Sequence, residues 1–294
     1  MDLFFQRIVD GIADGTIYGA VALALVLIYR STGLINFAQG EMAMFATFII
    51  WWFVRPDRLG MPIGLALVCG AIFGFFMGAF VERVIMRPFE SRDHLSQAMV
   101  TMGLFLGLNS LAAYLFSVEP QRLPSLFPSG GVHIGDVSIG WDVLGLIGVV
   151  LGLSLLLRLM FTYTRVGLAM RAATSNSVSA QLHGINVKRT LMIGWGLAGA
   201  VGAIAGGLLA PALFVSPTMM QAVLLYAFAA AVVGGLDSTF GAIVGGIVVG
   251  VTQHLAGGYL VGNELQLSSA LALILLVLLI RPQGLFGRVR VERV

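Results

Sequence analysis

Charge is scarce in this chain. Asp, Glu, Lys and Arg together make up 11% of its residues, less than half the share of an ordinary soluble domain. Lysine occurs once, as Lys188 between Val187 and Arg189. A phosphate-cradling loop of the GxxxxGK(S/T) kind sets its lysine beside glycines, so this chain has no such loop. Cysteine also occurs once, at Cys69 within an apolar run, which excludes an intrachain disulfide and any CxxC metal motif. The four histidines, His94, His133, His183 and His254, are scattered, with no HExxH among them. An enzyme buried in apolar surroundings would need a nucleophile with a base or a metal cluster, and neither is found. Basic residues form no long run and the net charge is only +3, so nucleic acid is not an expected partner.

What is present is apolar length. Hydrophobic residues account for 58% of the chain. Segments 62–81, 95–118 and 190–236 contain no charged residue at all, and the last is long enough for two membrane spans at ~20 residues each. Glycine is abundant, with 38 residues, as suits membrane helices whose backbones approach closely. The N-terminus does not read as a cleaved signal, because Asp2, Asp10 and Asp14 oppose the lone Arg7. The expected fold is all-α, a polytopic membrane helix bundle forming one transmembrane domain over residues 1–294. Spans are expected near 16–29, 36–54, 62–81, 95–118, 143–159, 190–214, 218–233, 241–255 and 265–280. Several are short and the second starts with polar residues, so the count is eight or nine, with a broken or half helix near Asn36.

The loop charges orient the bundle. One side collects Arg83, Arg87, Arg92, Arg165, Arg171, Lys188, Arg189 and the tail residues Arg281, Arg288, Arg290 and Arg293; this side is expected in the cytoplasm. The other side has Arg122 with Glu119 and Asp136, in a loop carrying Pro120, Pro124 and Pro128. Arg55 and Arg58, partly offset by Asp57, are the exception. Nine spans then leave the N-terminus outside. Glycines recur every four residues at Gly70, Gly74 and Gly78, and in the pairs Gly103 and Gly107, Gly148 and Gly152, Gly202 and Gly206, Gly241 and Gly245, and Gly246 and Gly250. On helices these make flat faces for packing within the bundle or, for some, against another subunit.

Two segments carry function. In STGLINFAQGEMAM, residues 31–44, Thr32-Gly33 interrupts the first span and Asn36 is the expected N-cap of the next. Gln39 stands three residues on, as in a capping box with an amide in place of the acid, and Glu41 lies in the first turn, where the helix dipole favours a negative charge. Asn36, Gln39 and Glu41 either cap a helix at the membrane surface or line a path for a solute. The second segment, residues 162–189, is expected to form two short helices, one around Leu168, Ala172 and Ala173 and one over 178–182, ending at His183-Gly184 with Gly184 as C-cap. A loop of this size with its own helices suits docking of another protein better than a passive connection.

The chain resembles the permeases of ATP-binding-cassette importers for branched-chain amino acids, of the Liv type and similar to its H subunit. The resemblance runs nearly end to end: GTIY at 15–18, LIYRSTGLINFAQGE at 27–41, ERVIMRP at 82–88, AMVTMGLFL at 98–106, the loop at 165–186, GGLDSTFGAIVG at 234–245 and RPQGLF at 281–286. It implies a translocation subunit in the bacterial inner membrane, and the loop charges put its C-terminus in the cytoplasm. The implied partners are a homologous second permease, two ATPase subunits that bind the ATP, and an external solute-binding protein; no cofactor is expected in this chain. The loop at 165–184, with Arg165, Gly167, Leu168, Arg171, Ala172 and Gly184, matches the segment by which such permeases dock on their ATPases. Departures are Arg30 before the turn, Gln39 where histidine is common, and Asp14 at a position usually uncharged. A stand-alone ion-coupled transporter or channel is the alternative, and it would set ionisable residues mid-span, whereas the acids of this sequence lie towards the expected span ends.

Overall fold

A computed structural model describes residues 2–90, 92–116, 118–134, 137–259, 262 and 265–287. Asp136 and the tail residues Arg288, Arg290 and Arg293, which enter the charge pattern above, lie outside the described residues. The described chain is nearly all helix, in the order α1 (Asp2–Thr32), α2 (Gln39–Val54), α3 (Ile63–Phe80), α4 (His94–Leu115), α5 (Trp141–Tyr163), α6 (Arg165–Ser175), α7 (Ser177–Leu182), α8 (Val187–Leu213), α9 (Gln221–Gly234), α10 (Thr239–Tyr259) and α11 (Gln266–Ile280). Strands β1 (Gly131–Ile134) and β2 (Val137–Gly140) form one antiparallel hairpin between α4 and α5. Among the described residues, six helices are long and apolar enough to cross a membrane, namely α1, α3 with its continuation, α4, α5, α8 and α10, while α9 and α11 are shorter apolar helices.

The chain divides into two compact units. In the larger, residues 27–126 and 155–224, α3 lies along α8 with glycine against backbone. A Cβ on Gly78 would overlap the Trp195 carbonyl, and one on Gly74 the carbonyl region of Gly199 and the Ala203 methyl. Gly70 receives Ile50 of α2, and Gly202 and Gly206 of α8 receive Gln39, Ala43 and Thr47 of α2. In lipid, where apolar burial drives little, such close approach supplies the dispersion energy of association. After Phe80 the helix widens into a π-helical turn, Val81–Met86, and tightens into a 3₁₀ turn, Arg87–Phe89, that begins the reversal into α4.

In the smaller unit, residues 1–26, 127–154 and 225–294, Gly11, Gly15 and Gly19 of α1 lie against the α10 backbone at Val251, Ile247 and Ile243. Gly241 and Gly245 pack on α9 at Gly234 and Ala230. The first helix starts fourteen residues earlier than the apolar run suggested, at Asp2 rather than Thr16. Its charges are accommodated: Asp14 meets His254 Nε2 at 2.8 Å, Arg7 donates to the His254 carbonyl at 3.2 Å, and the Arg7 guanidinium sits 5.3 Å from the Tyr259 ring centre. Of the glycine pairs, only Gly103 and Gly107 of α4 and Gly148 and Gly152 of α5 face open space.

Candidate functional site

Backbone geometry interrupts the first helix where the sequence predicts. Gly33 takes φ +74°, a left-handed value that its missing side chain permits, and the chain then crosses to α2 in six residues. Asn36 differs from its expected role. The N-cap position falls on Ala38, with no side-chain cap. Asn36 Oδ1 instead accepts from the Ala38 N–H at 3.0 Å, an Asx turn that leads the chain into the helix one step further on. Nor is there a capping box, because the Gln39 amide reaches outward. Gln39 Nε2 donates to the Ala198 carbonyl of α8 at 3.1 Å, and its Oε1 takes a longer bond of 3.4 Å from Asn36 Nδ2. Polar side chains at this depth find their partners across helices, which is how an apolar medium tolerates them.

Asn36, Gln39 and Glu41 are all buried, at 0%, 0% and 1% exposure. The structure brings Asn36 and Gln39 together and sends Glu41 elsewhere. Glu41 Oε2 accepts from Asn109 Nδ2 of α4 at 3.2 Å, and the same nitrogen donates to the Pro217 carbonyl at 2.7 Å. Glu41 Oε1 has no partner among the described residues. Two residues apart on a helix are about 200° apart around its axis, so Gln39 faces α8 while Glu41 faces α4. Asn109 gave no signal in the sequence, being one polar residue in an apolar run; only the fold sets it opposite the acid. The expectation that acids keep to span ends is corrected for Asp14, which lies well inside α1 and meets the His254 imidazole of a neighbouring helix. Glu41 does lie in the first turn of α2, though buried there against the Asn109 amide.

The connection between α5 and α8 is a built object rather than a slack loop. Thr164 caps α6 by accepting from the Gly167 N–H at 3.1 Å. Asn176 ends α6 and caps α7, accepting from Ser179 at 2.9 Å, and Asn186 caps α8, accepting from Arg189 at 3.0 Å. Gly184 closes α7 as expected. With φ +79° it donates to the Gln181 carbonyl at 2.9 Å while Ile185 donates to Ala180 at 3.0 Å, the paired bonds of a Schellman motif. Gly167, Met170 and Ala173 face inward, and Ala172 packs half-buried on the cluster of Ala173, Ala180 and Val187. Leu168, at 59% exposure, points away with Val178 at 67% and Leu182 at 82%, flanked by exposed Arg165 and Arg171. Of the two apolar positions expected on a docking face, the structure exposes Leu168 and turns Ala172 largely inward.

Behind this connection lies a cavity of about 230 Å³, walled by the end of α1 (Ser31, Thr32), the π-helical turn, the start of α4 and the faces of α6 and α8. Glu82, 3% exposed, takes both Arg87 bonds, at 3.2 and 2.7 Å, and Arg87 also donates to the Lys188 carbonyl at 3.4 Å. The ERVIMRP segment is therefore an ion-paired strut to the start of α8. In the smaller unit, two other quoted segments meet: Leu285 and Phe286 donate to the carbonyls of Val233 and Gly234 at 2.8 and 3.0 Å, with Gly235 at φ +103° and Gly284 at φ +77°. Segments far apart in the chain thus define a fold-specific joint.

Residues 7–280 match the family described as branched-chain amino acid transport system, permease component. The chain belongs to this permease family. The high-affinity branched-chain amino acid transport system permease protein LivH of Escherichia coli is similar, at 30% identity over 99% of this chain and 98% of that one. So is the permease protein BraD of Pseudomonas aeruginosa, at 29% over 99% and 98%. Among solved structures, PsaBC from Streptococcus pneumoniae in complex with Fab aligns with 97% of this permease and 94% of that chain, at TM-score 0.46 and 13% identity. The permease is a multi-pass membrane protein, and its exposed apolar helix faces, such as Leu106 on α4 and Leu155 on α5, are surfaces for lipid or for another subunit.

Proposed function

We propose that this permease is the translocation subunit of an ATP-binding-cassette importer for branched-chain amino acids or closely related small solutes. End-to-end membership in the permease family carries this reading, and α2, starting among other helices with polar side chains at its head, supplies a place for a path. The energy comes from two ATPase subunits that hold the ATP; an external binding protein delivers the solute, and a homologous second permease completes the path in the inner membrane. In proteoliposomes holding the four-subunit complex and loaded binding protein, L-leucine uptake is expected to require ATP and the binding protein. Uptake sustained by an ion gradient without ATP would overturn the reading in favour of a stand-alone transporter.

Nine crossings, with α1, α2, α3, α4, α5, α8, α9, α10 and α11 alternating in direction, put the N-terminus outside and the C-terminus inside. Pairings within each unit support this. Gln121 bridges to Val215, which puts the α4–α5 and α8–α9 connections on one side, and Arg87 reaches Lys188 on the other. Gln6 bonds Ser138 of the hairpin. The exceptional outside arginines have local roles. Arg55 pairs with Asp57, holding that carboxyl below its ordinary value, and stacks on Trp51, while Arg58 lies over Trp52. Cations on interfacial tryptophans anchor a helix end and weigh little as cytoplasmic retention signals. In a Cys69→Ser background, Pro124→Cys is expected to react with an impermeant maleimide from outside and Arg171→Cys only from the cytoplasm. Labelling of Pro124→Cys solely from the cytoplasm would invert this topology.

Asn36 and Gln39 are proposed to line the path at the head of α2, with Glu41 further along. Asn36→Ala leaves the Ala38 N–H and the Gln39 amide short of a partner in a dry site, a loss of roughly 1–3 kcal/mol. Transport is expected to fall about fivefold or more while the complex still assembles. Gln39→His keeps a ring N–H for the Ala198 carbonyl, so uptake is expected to stay within roughly threefold of the unsubstituted complex. Loss of assembly in proportion to transport would reduce both residues to helix-start packing.

A further inference from the structure

We propose that Glu41 receives the ammonium end of the solute and that Asn109 occupies its place while the path is empty. The proposal rests on the amino-acid importer reading and names the contact by which the chain would recognise that class. Glu41 is 1% exposed, in the first turn of α2. The ion pairs among the described residues engage Asp14, Asp57 and Glu82, and none engages Glu41. A carboxylate withdrawn from water without a cation is costly, and inside a membrane protein it marks a place where something charged arrives.

The geometry states what arrives. A single nitrogen, Asn109 Nδ2, is 3.2 Å from Glu41 Oε2 and 2.7 Å from the Pro217 carbonyl oxygen. Glu41 Oε1, buried without a donor among the described residues, leaves one acceptor unmet. A carboxylate and a backbone carbonyl converging on one nitrogen form the acceptor set for a primary ammonium, which carries three donors where an amide carries two. The amide satisfies hydrogen bonding in part but brings no charge, so a charged nitrogen in the same position is bound better. Rotation of the Asn109 side chain about its own bonds would free both acceptors together. A guanidinium is too broad for a seat now filled by one amide nitrogen, and a metal ion would want more oxygen ligands than these.

Two substitutions separate recognition from mere bracing. Glu41→Gln keeps the shape and still accepts from Asn109, so a structural strut would survive it. Asn109→Ala removes the bracing bonds and leaves the carboxylate in place. In the reconstituted complex, with L-leucine and its binding protein, Glu41→Gln is expected to lower uptake about thirtyfold or more, the scale of losing one partner of a buried charged contact. Asn109→Ala is expected to lose no more than about threefold, since the arriving ammonium replaces the amide. The reverse order, with Glu41→Gln mild and Asn109→Ala severe, overturns the proposal and leaves a brace. If Glu41→Gln does not assemble, Asn109→Ala decides: retained uptake supports the proposal and loss overturns it. Uptake that requires an inward proton gradient in the unsubstituted complex and loses that requirement in Glu41→Gln would assign the carboxylate to a proton and also overturn it. Absence of leucine uptake by the unsubstituted complex is a separate result that defeats the amino-acid form of the importer reading, on which this proposal rests.

Discussion

Gly78→Leu is expected to leave no folded permease in the membrane. The Cβ alone would overlap the carbonyl oxygen of Trp195, and a leucine adds three more carbons where α3 and α8 touch backbone to backbone. The listener on the other side cannot yield, because that carbonyl belongs to a helix whose side chains, Trp195 at 1% exposure among them, are themselves packed. Relief requires the helices to part along a seam that also holds Gly74 against Gly199, so the loss reaches several contacts at once. The cost is expected above about 4 kcal/mol, in the range that single changes reach through a short set of mechanisms, overpacking among them. Gly103→Leu on α4 is the matched control, because no described residue lies within 4 Å of where its Cβ would stand. It is expected within about 0.5 kcal/mol of the unsubstituted chain. Detergent-solubilised yield and thermal unfolding followed by size exclusion check both. If Gly103→Leu folds normally yet loses the second permease, the α4 face is the subunit contact. Equal stability of the two variants would mean that the α3–α8 seam is wrong.

Leu182→Asp and Leu168→Asp are expected to release the ATPase subunits while leaving the permease folded. Both side chains project from the helical connection between α5 and α8 at 82% and 59% exposure, so neither supports its own chain. An exposed leucine that becomes buried in a partner is a candidate anchor, and an aspartate there would be an unpaired charge in an apolar contact. The affinity is expected to drop about thirtyfold or more, on the scale of an interface hot spot. Arg171→Ala, at the rim, is expected to change salt dependence more than affinity. Ala172→Asp has a different expected result, because Ala172 packs on Ala173, Ala180 and Val187. It should loosen the connection itself and lower the permease's own stability. Gly184→Val is strained by φ +79° but has open space for its side chain, so a cost of roughly 1–3 kcal/mol is expected rather than outright misfolding. Pull-down with the ATPase subunits, alongside thermal stability of the permease alone, separates the cases. Retention of the ATPases by Leu182→Asp and Leu168→Asp alike would move the docking surface elsewhere.

The sequence by itself determined the membrane class, the order of the helices and the short helices of the α5–α8 connection. Apolar run length and turn residues are local properties, and Thr32-Gly33 and His183-Gly184 stop their helices for reasons contained in a few residues. It also displayed the glycine faces of α3, α8 and α10 and the polar residues at the head of α2, but the Gly11, Gly15 and Gly19 face of α1 was missed. Tertiary structure alone decided how they are used. Gly78 and Gly103 look alike in the sequence, yet one lies against Trp195 and the other against nothing, because helix rotation and neighbour choice are set by packing across the fold. The start of α1 was hidden because Arg7 and Asp14 break its apolar run, and their partners, His254 and Tyr259, lie more than two hundred residues away. Asn36 read as a cap because local hydrogen bonding favours that role; the fold delayed the helix start to Gln39, kept Asn36 in a local Asx turn and sent the Gln39 amide across to α8. Glu41 was visible as a charge, but the nitrogen that faces it belongs to Asn109 on another helix. A polar group in an apolar medium must find its partner across the bundle, and that partner is a property of the folded chain.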